Sequence, residues 1–211
     1  MPYLTKLEIS HEIAGSRRLF DSYAWHKVAW ECFPGMPDAK RDFLTRLDAS
    51  KYLSRLYILS RKMPHKPDWC PEDCWADTAI PQKFLEQRHY RFDLRANPTR
   101  KIKKIVDGEP RKNGKRVALT KQEDQKAWIL RKTETCGFTI LEEPALMIEP
   151  AQNYRFIKRM EQAEPGLHVG VRYSGILEVK DFELFQKAYL DGIGSAKGFG
   201  FGLMLLKPVV L

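Results

Sequence analysis

The chain has 211 residues, enough for one domain or two small ones, and its 43% hydrophobic and 11% aromatic content suffices for ordinary globular cores. Thirty-six Lys and Arg against 27 Asp and Glu give a net charge of +9, and the excess is concentrated between Arg100 and Arg116, which favours a polyanionic partner. No apolar stretch approaches the roughly 20 residues of a membrane span, and the opening Met-Pro-Tyr-Leu-Thr-Lys alternates as a strand does instead of forming a signal peptide, so a cytoplasmic location is expected.

In chain order, Tyr3-Leu-Thr-Lys-Leu-Glu-Ile9 alternates with period two and reads as a half-buried strand. After a charged loop, Asp21 or Ser22 caps a helix whose body is Tyr23 to Phe33 and which Pro34-Gly35 stops. Arg55 to Ser60 is a second strand. Pro64 to Pro81, with four prolines and two tryptophans, reads as irregular structure. His89 to Arg95 alternates again before Ala96-Asn97-Pro98, where proline ends regular pairing.

Beyond it, Lys101 to Val106 and Lys115 to Leu119 flank a polar stretch that closes on Asn113-Gly114, a hairpin signal. Thr120 with Glu123 forms a capping box for a helix through Ala127 to Leu130, which Gly137 ends. Strands are expected at Phe138 to Leu141, Met147 to Glu149, His168 to Val179 and Leu203 to Leu206, with a helix from Asp181 to Asp191. Strand, helix, strand near the start and again near the end makes this an α+β chain of two ferredoxin-like (RRM-like) units, 1–88 and 89–211.

Gly192 to Gly202 holds five glycines and Lys197, a composition that lets backbone approach a ligand and present N–H groups beside a cation. It is neither common nucleotide loop. Lys197 follows Ala196 and precedes Gly198, whereas a P-loop needs Gly before the lysine and Ser or Thr after it, and the dinucleotide fingerprint needs Gly where Lys197 stands. A polymeric phosphate backbone fits better. Gly194, Lys197, Gly198 and Gly200 are the candidate contacts, and the loop has a second available role in seating the first helix against the second unit.

The other candidate RNA contacts are Arg95, the arm cations Lys101, Lys103, Lys104, Arg111, Lys112, Lys115 and Arg116, and the ring-and-cation run with Arg155, Lys158 and Arg159. No helix carries the basic face that duplex DNA docking uses. No DxD, HExxH or carboxylate cluster presents a metal site, Cys70 and Cys74 form a single CxxxC with no second ligand pair, and no cofactor is expected.

His26 lies three residues after Tyr23, placing both on one helical face. An imidazole moves protons near neutral pH and a tyrosine orients it or donates to a phosphate oxygen. One histidine, a polyanion surface and no metal cluster fit RNA transesterification, in which the ribose 2′-hydroxyl already lies beside the scissile phosphorus.

Leu4-Thr-Lys-Leu7 with Tyr23-Ala-Trp-His26, Phe92-Asp-Leu-Arg95-Ala96-Asn97-Pro98, Gly114 to Leu119 with Ala127-Trp128, and the terminal glycine loop together resemble the CasE family, the CRISPR precursor-RNA endoribonuclease of type I-E Cascade. The resemblance implies tandem ferredoxin-like domains and a metal-independent cut at the 3′ base of the repeat stem-loop, leaving a 2′,3′-cyclic phosphate. It also implies His26 as catalytic histidine with Tyr23 as its partner, a basic hairpin in the RNA major groove, and retention of the cut hairpin inside Cascade beside other subunits. The isolated chain is expected to be monomeric. Ser195 stands where the family usually has proline, and Phe199 adds bulk to the loop. The alternative is a non-catalytic RNA-hairpin-binding subunit of a ribonucleoprotein.

Overall fold

The structure is a computed structural model that describes residues 1–35, 41–102, 105–106, 109–110, 115–156 and 166–211, with backbone alone at 105–106, 109–110, 115, 155–156 and 166. The chain opens with β1 (Tyr3–Ser10), α1 (His11–Ser16), α2 (Ser22–Glu31), β2 (Phe43–Ala49) and β3 (Leu53–Ser60), and β4 (Trp75–Ala79) closes the first sheet. That sheet is antiparallel in the order β2-β3-β1-β4. This is the ferredoxin-like order, with a single 3₁₀ turn (Glu72–Cys74) in place of the usual second helix.

A short helix α3 (Gln82–Leu85) leads to β5 (His89–Ala96), and an arm follows: β6 (Thr99–Ile102), β7 (Ile105–Val106), β8 (Glu109–Pro110) and β9 (Lys115–Ala118). Next come α4 (Gln122–Thr135), β10 (Phe138–Ile140), β11 (Met147–Ile148), β12 (Gln152–Phe156), the 14-residue β13 (Gly166–Val179), α5 (Phe182–Asp191) and β14 (Met204–Pro208). The second sheet runs β10-β13-β5-β14, with β11 and β12 paired to the free half of β13. Both sheets therefore have the tandem ferredoxin-like arrangement, with the arm inserted between β5 and α4.

Local chemistry explains most boundaries. Asp21 caps α2 by accepting the Ala24 N–H at 2.7 Å, and Asp181 caps α5 through Leu184. The capping box expected at Thr120 and Glu123 is absent: α4 starts at Gln122, its N-cap is Lys121, and no side chain caps it. Instead Gln125, itself buried, donates to the Leu119 carbonyl at 3.0 Å and ties the helix to the arm's exit. The stretch expected to be wholly irregular, Pro64 to Pro81, contributes β4 as the edge strand beside β1.

Outside the arm, four more elements lay outside the sequence reading: α1, α3, β2 and β12. Phe43, Leu44, Thr45 and Arg46 of β2 are buried in succession. Phe43 packs with Trp25, Val28 and Ile58 under α2, while Leu44 and Leu59 join Leu94, Trp128, Tyr173, Phe185 and Ile193 in the second unit. A strand covered on both faces loses the alternation that identifies a half-buried one. The second core thus reaches across the boundary between the two sheets, and the units are held as one packed body.

Arg46 is fully buried at this junction. Its Nε donates to Asp48 at 2.9 Å, and its Nη1 lies 2.9 Å from both the carbonyl and the carboxylate of Asp93 on β5. Arg95 reaches Asp48 at 2.7 Å, and Arg172 holds Asp93 from the other side, with Nε 3.0 Å from each carboxylate oxygen. Burial pushes the Asp93 carboxyl up, but its bonds to Arg172 and Arg46 outweigh that and hold it below the usual carboxylate range. All four cysteines carry free thiols, and burial pushes Cys32 up to about 12 and Cys70 to about 11. Among the described residues no helix is long and apolar enough to cross a membrane.

Candidate active site

A cavity of about 60 Å³ lies between the two sheets, where α2 meets the glycine loop. Ser22, Trp25 and His26 of α2 form one wall, Thr45, Leu47 and Leu56 the floor, and Arg95, Tyr154 and Gly198 to Phe201 the opposite side. More than 170 positions of sequence separate His26 from Gly198, with Arg95 and Tyr154 in between.

His26 is half-buried, and the indole N–H of Trp30, one turn on, donates to its Nε2 at 3.0 Å. Indole is a donor only, so that nitrogen presents a lone pair and the proton of the neutral ring sits on Nδ1. Nδ1 is buried with no hydrogen-bond partner among the described residues. Phe43 packs tilted against the imidazole, with centroids 6.3 Å apart. Burial first, and the nearby Arg41 guanidinium second, hold the His26 pKa below its ordinary value. The ring is thereby kept neutral at pH 7.

Arg41, beside the cavity, is a candidate that the sequence reading passed over. It is partly desolvated, which lowers its own pKa, and it has no acidic partner among the described residues. Its guanidinium rests on the glycine loop, where a Cβ at Gly198 would come within 3.0 Å of Nη1. A side chain at 198 would press on the guanidinium and shift it. Arg41 does not line the cavity itself, but it sets a cation against the loop at Gly198 and close enough to act on His26, a charge arrangement that suits a phosphate at the cavity's edge.

The glycine loop closes on itself through Ile193 N–H to Gly202 C=O at 2.9 Å, and Gly202 N–H bonds the Arg95 carbonyl at the end of β5 at 2.8 Å. At Gly202, φ is +89° and a Cβ would lie 2.8 Å from the Ile193 carbonyl, so only glycine fits. Ser195 donates to Asn97, 3.1 Å from its carbonyl and 3.0 Å from its side-chain oxygen, and lies 3.3 Å from Thr99 at the root of the arm. Asn97 in turn donates to Val169 at 3.0 Å. Serine in place of proline thus anchors the loop by hydrogen bonds to the Ala96-Asn97-Pro98 segment and the arm.

The remaining sequence-derived candidates separate into groups. Gly198 and Gly200 line the cavity with His26. Gly194 is turned instead to the Trp128 indole, 3.0 Å from where its Cβ would be. Lys197 donates to the Asp191 carbonyl at 2.6 Å, capping the C-terminus of α5, and does not line the cavity. Arg95 lines it, yet its guanidinium is held by Asp48 and the Leu47 carbonyl, which gives it a partner in the junction. Tyr154, the cavity-lining member of its run, packs edge-on against Phe201 at 5.2 Å above Gly170.

Tyr23 is not brought into the cavity with His26. Its ring is exposed in a separate groove, with the Lys27 ammonium 5.0 Å from its centroid. On the arm, Lys101 pairs directly opposite Arg116, and both are exposed. Lys103, Lys104, Arg111, Lys112, Lys158 and Arg159, with the Asn113-Gly114 turn, lie outside the described residues, as do the side chains of Lys115 and Arg155.

A family model described as "CRISPR associated protein" matches residues 2–208. The chain is 30% identical to the "CRISPR system Cascade subunit CasE" of Escherichia coli K12 over 98% of its own length and 100% of the relative's. The chain belongs to the CasE family. It is also 29% identical, over 98% of its length and 100% of the relative's, to the "CRISPR-associated endoribonuclease Cse3" of Thermus thermophilus. A solved structure of CRISPR endoribonuclease Cse3 bound to 19 nt RNA superposes with a TM-score of 0.73 at 25% identity, covering 99% of this chain and 100% of that one. In this CasE-family chain, Arg41 carried only a weak sequence signal: a cation on the stretch that returns from the histidine helix to the next strand.

Proposed function

We propose that this chain is a metal-independent endoribonuclease that cuts CRISPR precursor RNA at the 3′ base of the repeat stem-loop and stays on the hairpin as a subunit of Cascade. The observation that carries the reading is the cavity in which a neutral His26 faces the backbone at Gly198 and Gly200, with the Arg41 guanidinium resting on Gly198 just outside the lining. It agrees with curated relatives that are a Cascade subunit and an endoribonuclease.

In the reaction the 2′-oxygen bonds to phosphorus and the bond from phosphorus to the 5′-oxygen breaks, leaving a 2′,3′-cyclic phosphate. His26 takes the 2′-hydroxyl proton at Nε2, whose lone pair the Trp30 indole holds in the free protein and gives up to the 2′-hydroxyl, and the departing 5′-oxygen takes its proton from the protonated ring or from water. Arg41 and the loop N–H groups stabilise the extra charge on the phosphorane oxygens. Tyr23, one turn earlier on α2, holds the adjoining RNA backbone.

Residues 1–88 supply the histidine helix in this reading, and 89–211 supply the arm and the glycine loop. The arm cations Lys101, Lys103, Lys104, Arg111, Lys112, Lys115 and Arg116 grip the stem, with Arg155, Lys158 and Arg159 beyond it. The protein works in the cytoplasm, where its four thiols stay reduced, and is monomeric until it joins the complex.

The test is incubation with the repeat hairpin RNA in EDTA, beside the same RNA carrying 2′-deoxy at the nucleotide before the cut. Cleavage of the first alone is expected. Tight binding without cleavage of either would overturn the catalytic reading and leave a structural hairpin-binding subunit.

A further inference from the structure

On the side of α2 away from the cavity, a groove of about 460 Å³ runs between the α1–α2 turn and the helix. Arg17, Arg18, Phe20, Tyr23 and Lys27 line it. Phe20 is 80% exposed and Tyr23 43% exposed, although the turn that carries Phe20 is firmly held. Arg18 N–H bonds Gly15 C=O and Leu19 N–H bonds Ala14 C=O, both at 2.9 Å, and the Trp25 indole donates to the Leu19 carbonyl at 3.1 Å. Arg18 itself takes φ +55°, a left-handed conformation that a non-glycine residue adopts at some cost. A fixed turn therefore presents a phenyl ring to solvent.

The charges around that ring are not internally matched. Two acids, Asp21 and Glu31, also line the groove; they accept from the Ala24 N–H at 2.7 Å and the Trp69 indole at 2.9 Å and keep their charge, so the three cations leave a modest net positive charge. Arg17 stacks over Trp69 at 4.7 Å and Lys27 over Tyr23 at 5.0 Å, and neither they nor Arg18 has an acidic partner among the described residues. Exposed rings interleaved with unpaired cations are the chemistry that holds single-stranded nucleic acid, by stacking on bases and attraction to phosphates. Tyr23 and His26 are three residues apart on one helix, about 4.5 Å along its axis, so a strand leaving the cavity reaches the groove by passing around α2.

We infer that this groove is a subsite for the unpaired RNA strand that continues past the scissile phosphate, with Phe20 as the stacking platform and Arg17, Arg18 and Lys27 as phosphate contacts. The inference rests on the proposed RNA-cleaving function. The stem is gripped by the arm, on the second unit, and the strand beyond the cut leaves across α2 of the first. A docking surface for another protein would use the same exposed phenyl ring, but three cations with no ion pair among the described residues, against two acids, favour a polyanion.

The experiment compares two uncleavable repeat hairpins, each with 2′-deoxy before the cut, one ending at the stem base and one extended there by unpaired adenosines. The extension should tighten binding to the wild-type protein about tenfold, the low end of what one stacked base contributes. Phe20→Ala should lose most of that gain while binding the unextended hairpin as before, and Phe20→Trp should restore it. Arg18→Ala should reduce the gain and flatten its salt dependence. Equal affinity of wild type for both hairpins would overturn the groove assignment, as would a Phe20→Ala protein that keeps the full gain and instead fails to join other Cascade subunits. Wild-type protein that ignores both hairpins would overturn this inference and the proposed function together.

Discussion

The Trp30 indole N–H donates to Nε2 of His26 across one helical turn. The bond stabilises the imidazole only while that nitrogen is unprotonated, because a protonated ring would set two N–H groups against each other. Burial and Arg41 push in the same direction. Three features thus hold unprotonated a histidine whose ordinary pKa, about 6.5, would leave it partly charged near neutrality.

Trp30→Phe keeps the ring packing and removes the donor. The His26 pKa should rise toward its ordinary value. A base works only when deprotonated, so the rate falls as pH drops through its pKa, and the acid limb of the cleavage profile should move to higher pH in the variant. Single-turnover rates measured between pH 4.5 and about 8, a range bracketing the ordinary histidine value, provide the check, and an unmoved limb would mean that the indole does not control the proton.

Arg41→Gln tests charge at the same atom. Removing the cation should also raise the His26 pKa, moving the acid limb upward, and should lower the pH-independent rate by about 10²- to 10³-fold, the cost of losing one oxyanion-stabilising group. Hairpin affinity should fall far less, since the arm carries most of the cations proposed to contact RNA. A rate loss with no shift in the limb would assign Arg41 to the phosphate alone.

The contrast between Arg41 and His26 shows what the sequence could convey. The period-two strands, the Asp21-capped helix, the Gly137 stop and the α5 helix were all legible because each depends on local pattern. Strand β2 was not, since Phe43 to Arg46 are buried on both faces and one of them is a charged residue paired with Asp93, 47 positions away. Lys197 has the composition of a phosphate ligand, yet its ammonium caps α5, whereas Arg41 was passed over and rests on Gly198. Spacing on α2 put Tyr23 beside His26, but the offset of about 60° between positions three apart is enough to turn one ring into the groove and the other into the cavity.

Arg46 should be the residue on which the union of the two sheets depends most. Arg46→Leu strands Asp48 and Asp93 at a buried junction, and removing one partner of a buried ion pair costs about 3–5 kcal/mol. Arg95 and Arg172 continue to neutralise the two carboxylates, which places the loss near about 3 kcal/mol, the lower end of that range. Urea unfolding measures it. Arg61→Ala, which breaks an exposed pair with Asp42 and Asp191, should cost less than about 1 kcal/mol and serves as the control. Because the folded pKa of Asp93 lies below its unfolded value, its contribution is complete above the unfolded pKa and is lost as pH falls through the folded one. The wild-type protein should therefore weaken in acid more steeply than an Asp93→Asn protein.

Lys101 opposite Arg116 allows stability and binding to be separated in one substitution. Like charges directly across an antiparallel pair are unfavourable, and opposite charges contribute about 0.2–1 kcal/mol. Lys101→Glu converts the first case into the second, so the ribbon should become slightly more stable. If the ribbon grips RNA, the same change must weaken hairpin binding and flatten the salt dependence by about one unit for each phosphate that is no longer neutralised. Melting temperature and the log–log salt slope should then move in opposite senses. A protein that gains stability and keeps its affinity and slope would show that the repulsion between Lys101 and Arg116 is not maintained for RNA, and the arm would lose its assignment as the element that grips the stem.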